Sequence, residues 1–116
     1  MPLLSIVTNV TVSQESREEI LVAASTTVSE MLGKPKKYVM VHLVDGAALR
    51  LGGSGDPACL MRLKSLGLPE ENTKVFSSKL CDFADGHLGI DSDRTYIEFV
   101  NPPRHMWGYD RRTFQR

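Results

Sequence analysis

Neither sign of charge is in excess in this 116-residue sequence: 14 Lys and Arg side chains balance 14 Asp and Glu, leaving no net charge at pH 7. That balance excludes the basic footprint by which proteins hold nucleic acid or an anionic membrane, and neither partner is expected. No apolar stretch approaches the roughly 18 residues of a membrane span. The opening Met1-Pro2-Leu3-Leu4-Ser5 lacks the basic flank and cleavage site of a signal peptide, so the default address is the cytoplasm. Cysteine is scarce. Cys59 and Cys81 are too few for a secreted disulfide framework and too far apart for a CxxC metal pair, which predicts two buried thiols. His42, His87 and His105 have no ligand spacing, and Gly52-Gly53-Ser54-Gly55 lacks the lysine and following helix of a phosphate loop. The length leaves room for a single domain over residues 1–116, small enough that self-association would add useful buried surface.

What the sequence does contain is an alternation of strand and helix signals. A β-rich apolar run from Leu3 through Thr8-Asn9 reads as a buried strand. From Ser13 or Ser16 to Leu32, the positions Ile20, Leu21, Ala24, Val28, Met31 and Leu32 form one helical stripe. Ser16 and Glu19 are read as its capping box, and Gly33 with Pro35 as its stop. Tyr38 to Val44 reads as a strand turned by Asp45-Gly46, with Ala47 to Leu51 as a short return strand. The second half follows the same plan. Ala58 to Leu66 is a strand, and Glu70 to Leu88 a helix with the stripe Val75, Phe76, Leu80, Phe83, Ala84 and Leu88. Gly89 caps that helix, and Thr95 to Val100 is a further strand. The helix ends Leu32-Gly33 and Leu88-Gly89 lie 56 residues apart, and the strands after them keep that offset, so the domain divides at about 2–57 and 58–116. The expected class is α+β: two β-α-β repeats forming a four-stranded mixed sheet with both helices on one face. The other face and the sheet edges then call for a partner subunit.

Pro2 directly after Met1 carries two readings. As the first residue of a strand it needs no N–H donor, and position alone favours that role. If Met1 is removed, it becomes a secondary amine, a group whose reference pKa of about 7.7–8.0 falls with burial or a neighbouring cation, and such an amine can act as a base.

The combination of Pro2, Thr8-Asn9-Val10, Leu32-Gly33-Lys34-Pro35 before Tyr38-Val39-Met40-Val41, Gly52-Gly53-Ser54 with Asp56-Pro57, Ser65-Leu66-Gly67, Asp93-Arg94 with Tyr96-Ile97, and Thr113-Phe114 closely resembles the macrophage migration inhibitory factor family from end to end. The resemblance implies the tautomerase fold, a homotrimer, and keto-enol tautomerisation of arylpyruvates such as phenylpyruvate or of dopachrome-like compounds, with no metal or organic cofactor. It equally implies a rival role, that of a cytokine-like, host-modulating protein secreted without a signal peptide, which acts on a protein receptor while its tautomerase site is vestigial.

Carried over by motif, Pro2 would be the catalytic base and Lys34 the cation that lowers its pKa and holds the substrate carboxylate. Ser65 and Leu66 would line the pocket, with the Leu66 backbone as a polar contact, and Tyr38 would wall it. Tyr96 would reach the substrate from the neighbouring subunit. Glu98 stands where the family often has asparagine, and an ionised carboxylate there would favour protonated Pro2. Trp107, Tyr109 and Phe114 fall in the aromatic rim, where many relatives carry a small aliphatic residue at the first position and tryptophan at the second. Each has a plainer reading: Lys34 as a helix-end cation, Ser65, Leu66 and Tyr38 as strand core, Tyr96 as an alternating strand aromatic. Arg104, Arg111, Arg112 and Arg116 read as a solvated tail.

Overall fold

The computed structural model describes residues 1–116. Strand β1 (Leu3–Thr8) leads into helix α1 (Gln14–Leu32) and the chain returns as β2 (Met40–Val44). β3 (Cys59–Lys64), α2 (Thr73–Leu88) and β4 (Thr95–Val100) repeat that course, and a short hairpin, β5 (Gly108–Tyr109) and β6 (Arg112–Thr113), ends it. The sheet order is β2-β1-β3-β4, with β1 and β3 antiparallel at the centre and each edge strand parallel to its neighbour. The repeat is therefore real, since β1 and β3 start 56 residues apart, at Leu3 and Cys59.

Alternation decides which side of the sheet is covered. Leu4, Ile6 and Thr8 of β1 and Cys59, Met61 and Leu63 of β3 are buried, and all but Thr8 join a single core with Ile20, Ala24 and Val28 of α1 and Phe76, Leu80, Phe83, Ala84 and Leu88 of α2. Thr8 keeps its hydroxyl satisfied by donating to the Ala58 carbonyl at 2.7 Å. The opposite face is bare: Met40 is 67% exposed, Tyr96 61% and Leu60 43%.

Several local expectations are corrected. Helix α1 takes the earlier of its two expected starts, capped by Ser13, whose Oγ accepts from the Ser16 N–H at 3.1 Å; Ser16 is already helical and makes no capping box with Glu19. Gly33 (φ +63°) and Gly89 (φ +67°) do end the helices, in the left-handed conformation that glycine alone adopts freely. Residues Glu70–Asn72 form a 3₁₀ turn rather than the start of α2. Val75 is 53% exposed, because it lies one step round the helix from the stripe that begins at Phe76. Tyr38 belongs to a 3₁₀ turn over Lys36–Tyr38, and β2 starts only at Met40. Cys59 is buried but Cys81 is only half-buried.

The largest departure is Ala47–Leu51, which makes no return strand. The Gly46 and Ala47 N–H groups donate to the Val10 and Thr8 carbonyls, so the chain crosses the end of β1 instead of folding back along β2. Its carbonyls, and those of residues 52–57 that continue the segment, are taken by side chains. Asn9 Nδ2 donates to Leu49, Gly55 and Asp56, while Arg94 donates to Leu51, Ser54, Asp56 and Pro57 at 2.9–3.1 Å. One guanidinium thus holds four backbone carbonyls of a segment with only one β-bridge of its own, Leu51 to Ser54. Arg94→Ala is expected to cost about 2 kcal/mol, in line with the loss of charge-assisted hydrogen bonds, read as a lower urea midpoint. An unchanged midpoint would mean that the segment holds itself.

Candidate active site

Pro2 sits at the head of β1 with its side chain fully buried, and its carbonyl accepts from the Met40 N–H at 3.0 Å. A strand opening there loses no ladder donor, so the structural role read from its position holds. Above it lies a cavity of about 450 Å³, lined by Met1, Pro2, Leu3, Lys37, Tyr38, Met40 and the C-terminal residues Trp107, Gly108, Tyr109 and Phe114. Seven of these ten lining residues are hydrophobic, which makes the space a predominantly apolar one with a cation at its edge.

The C-terminal wall is held by specific contacts. Tyr109 and Phe114 stack with ring centroids 4.8 Å apart and planes 8° from parallel, and the Arg112 guanidinium lies 5.2 Å from the Tyr109 ring. The turn between them places Asp110 (φ +49°) and Arg111 (φ +65°) in the left-handed region, the backbone a two-residue hairpin requires. Trp107 Nε1 donates to the Met1 carbonyl at 3.0 Å, and the Lys64 ammonium sits 4.6 Å from the indole ring. The two ends of the chain thus meet over the cavity.

Lys34 follows the α1 stop at Gly33. Its Nζ donates to the Leu66 carbonyl at 2.7 Å, and its own carbonyl accepts from Ser29 Oγ. Burial lowers the Lys34 pKa, and the Arg104 guanidinium lowers it further. The terminal amine, on Met1, is also held below its ordinary value, by burial first and then by the fields of Lys34 and Arg104. An amine so placed is a free base over more of the neutral pH range, and the cations around it favour an anionic ligand. The buried Cys59 thiol, pushed up to about 12 by burial and the nearby Cys81, is unreactive by contrast.

Of the residues expected at the site, the cavity gathers Pro2, Tyr38, Trp107, Tyr109 and Phe114, and Lys34 reaches the terminus through its charge. Ser65 and Leu66 do not line it. Both are buried, and the Leu66 carbonyl accepts from Lys34 Nζ. Tyr96 and Glu98 lie on β4, separated from β1 by β3. Tyr96 borders a second groove with Leu49, Leu51 and Leu60, and Glu98 accepts from Arg62 Nε at 2.5 Å, both side chains 56% exposed. Its charge is thus met by an arginine within the chain, Arg62. Residues unseen in the sequence are Lys37 and Met40 on the wall and Arg104, whose place in a supposed tail hid its effect on both amines.

The family model described as macrophage migration inhibitory factor matches residues 1–115. The chain belongs to that family. It is 36% identical to the macrophage migration inhibitory factor homolog of Trichuris trichiura over 115 residues, covering 98% of this chain and 100% of that one. It is also 36% identical to the Brugia malayi homolog over 116 residues, covering 98% and 99%. Among solved structures, the homologue from Prochlorococcus marinus superposes with a TM-score of 0.91 at 34% identity, covering 97% of this chain and 99% of that one. That from Trichinella spiralis gives 0.88 at 32%, with coverage of 97% and 99%. The two-helix, four-stranded mixed sheet is the fold of this family and of the tautomerase superfamily. No helix of the chain is long and apolar enough to cross a membrane.

Proposed function

We propose that this family member is a cofactor-independent keto-enol tautomerase of phenylpyruvate-like or dopachrome-like substrates, with Pro2 as general base once its nitrogen is free. The observation that carries the reading is the chain terminus itself: a buried proline, at the floor of an apolar cavity, beside an amine whose pKa burial, Lys34 and Arg104 all lower. Moving the terminus from Met1 to Pro2 brings the amine to the more deeply buried residue, where desolvation acts more strongly in the same direction. Abstraction of a proton next to a carbonyl needs a base poised near the working pH. Lys34 would hold the substrate carboxylate, and Tyr38, Tyr109 and Phe114 would enclose its aryl group. The test is a chain whose first residue is Pro2, verified by mass, assayed with phenylpyruvate. Conversion to the enol at a rate well above the uncatalysed one is expected; no turnover would leave the family's signalling role as the reading of this chain.

We further propose a homotrimer, in which Tyr96 and Glu98 enter a neighbour's site. The bare sheet face, with Met40, Leu60 and Tyr96 exposed, and the two edge strands support it. Sedimentation at micromolar concentration should give about 39 kDa, three chains of 12.9 kDa; a fully active monomer would remove both residues from the site. Because Arg62 pairs with Glu98, Glu98→Gln should shift the acid limb of the pH profile only slightly, toward lower pH. A large shift would mean that the pair breaks on assembly.

A further inference from the structure

Trp107 is the only tryptophan of the chain, and its indole N–H is already engaged at the point where the proposed chemistry would occur. It donates at 3.0 Å to the Met1 carbonyl, whose oxygen, across one planar amide, stands about 2.2 Å from the Pro2 nitrogen. Removal of Met1 takes that oxygen away and leaves a donor without its acceptor, facing the new amine. Indole N–H can only donate, and a half-buried donor calls for a replacement. The ring is steadied by Lys64 across its face, at 4.6 Å from the centroid, and a cation there draws electron density from the indole and strengthens its N–H as a donor.

We propose that Trp107 Nε1–H is the donor that stabilises the developing enolate oxygen, the Met1 carbonyl marking the place that a substrate oxygen takes. This rests on the reading of Pro2 as the base. The Pro2 nitrogen lone pair takes the proton from the carbon next to the ketone. The electrons of that C–H bond become the C=C bond, and the carbonyl π pair moves onto oxygen, where the indole N–H meets it. Protonated Pro2 then returns its proton to that oxygen, giving the enol with no net gain or loss. A carbonyl oxygen lies about 2.4 Å from the carbon beside its own, so a substrate carbon in contact with Pro2 N carries its oxygen into the neighbourhood of the indole. Because the charge is greater on the enolate than on the ketone, the contact acts on the transition state more than on binding.

The test is Trp107→Phe in the chain beginning at Pro2, which keeps a smaller aromatic face for Lys64 and removes the N–H. The expected result is a fall in kcat of about 100-fold, the lower end of the cost of deleting one such donor, with KM for phenylpyruvate nearly unchanged. A second measurement does not depend on the variant's folding. With one tryptophan, ¹⁵N-labelled chain gives one indole signal, expected to move on Met1 removal and again, downfield, on saturation with phenylpyruvate. An unchanged kcat, a rise in KM alone, or an indole signal indifferent to phenylpyruvate would overturn the donor role. Activity lost on Pro2 acetylation but kept in Trp107→Phe would overturn the donor and leave the base intact; an inactive wild type beginning at Pro2 would overturn both.

Discussion

A chain carrying an acyl group on the Pro2 nitrogen, whether Met1 itself or an acetyl, will lose about 10²- to 10⁴-fold in tautomerase turnover while its thermal midpoint holds. The magnitude is that of a general base. An amide nitrogen has no lone pair to offer, whereas the fold asks of Pro2 only a buried ring and a carbonyl, both of which the acylated chain retains. Retained Met1 also lines the cavity and holds the Trp107 donor, so it obstructs as well as disarms. Pro2→Ala, which replaces the secondary amine with a primary one that is still basic, should fall less than the acylated chain. Equal turnover in free and acetylated samples of verified mass would refute Pro2 as the base.

The second large effect is expected at Lys34. Lys34→Ala should raise KM for phenylpyruvate about tenfold, the loss of one charge-assisted contact, and move the acid limb of the pH profile upward. The sign follows from the amine. Its active form is the free base, present above its pKa; Lys34 lowers the pKa of the amine on Met1, and the same charge beside an amine on Pro2 acts in the same direction, so removing it should raise the pKa, and activity at pH 6 should fall more than at pH 8. Arg104 contributes a field of the same sign, so the shift will be partial, and Lys34→Arg, which keeps the charge, should leave the profile nearly in place. Should the variant lose stability while KM and the profile stay put, Lys34 would serve only to tie α1 to the Leu66 carbonyl.

What was legible in the sequence followed from local chemistry. Gly33 and Gly89 end helices because the left-handed turn excludes most side chains, and the stripe at Ile20, Ala24 and Val28 faces the core because 3.6-residue spacing leaves no other face. Ala47–Leu51 was not legible. Its apolar, strand-like composition says nothing of Asn9 and Arg94, which claim its carbonyls from more than 35 residues away. The site divides in the same way. Pro2, Lys34 and the aromatic rim came from motif resemblance, while Arg104 and Lys37 are set by tertiary approach, the C-terminal segment closing over a terminus 106 residues distant. No periodicity encodes a contact of that length.

The 56-residue repeat makes Ala58 the counterpart of Pro2, each standing just ahead of a central strand. The two places are alike in burial, yet the Ala58 nitrogen is locked in a peptide bond and donates to Asn9 Oδ1 at 2.9 Å. In a chain that begins at Pro2, the first unit alone offers a titratable backbone nitrogen at the head of its central strand. A near-symmetric architecture is thereby given a single chemically distinct end by covalent order alone, and a circular permutant opened at Ala58, with Met1 joined to the old C-terminus, would keep the fold's symmetry while moving that end to the other unit.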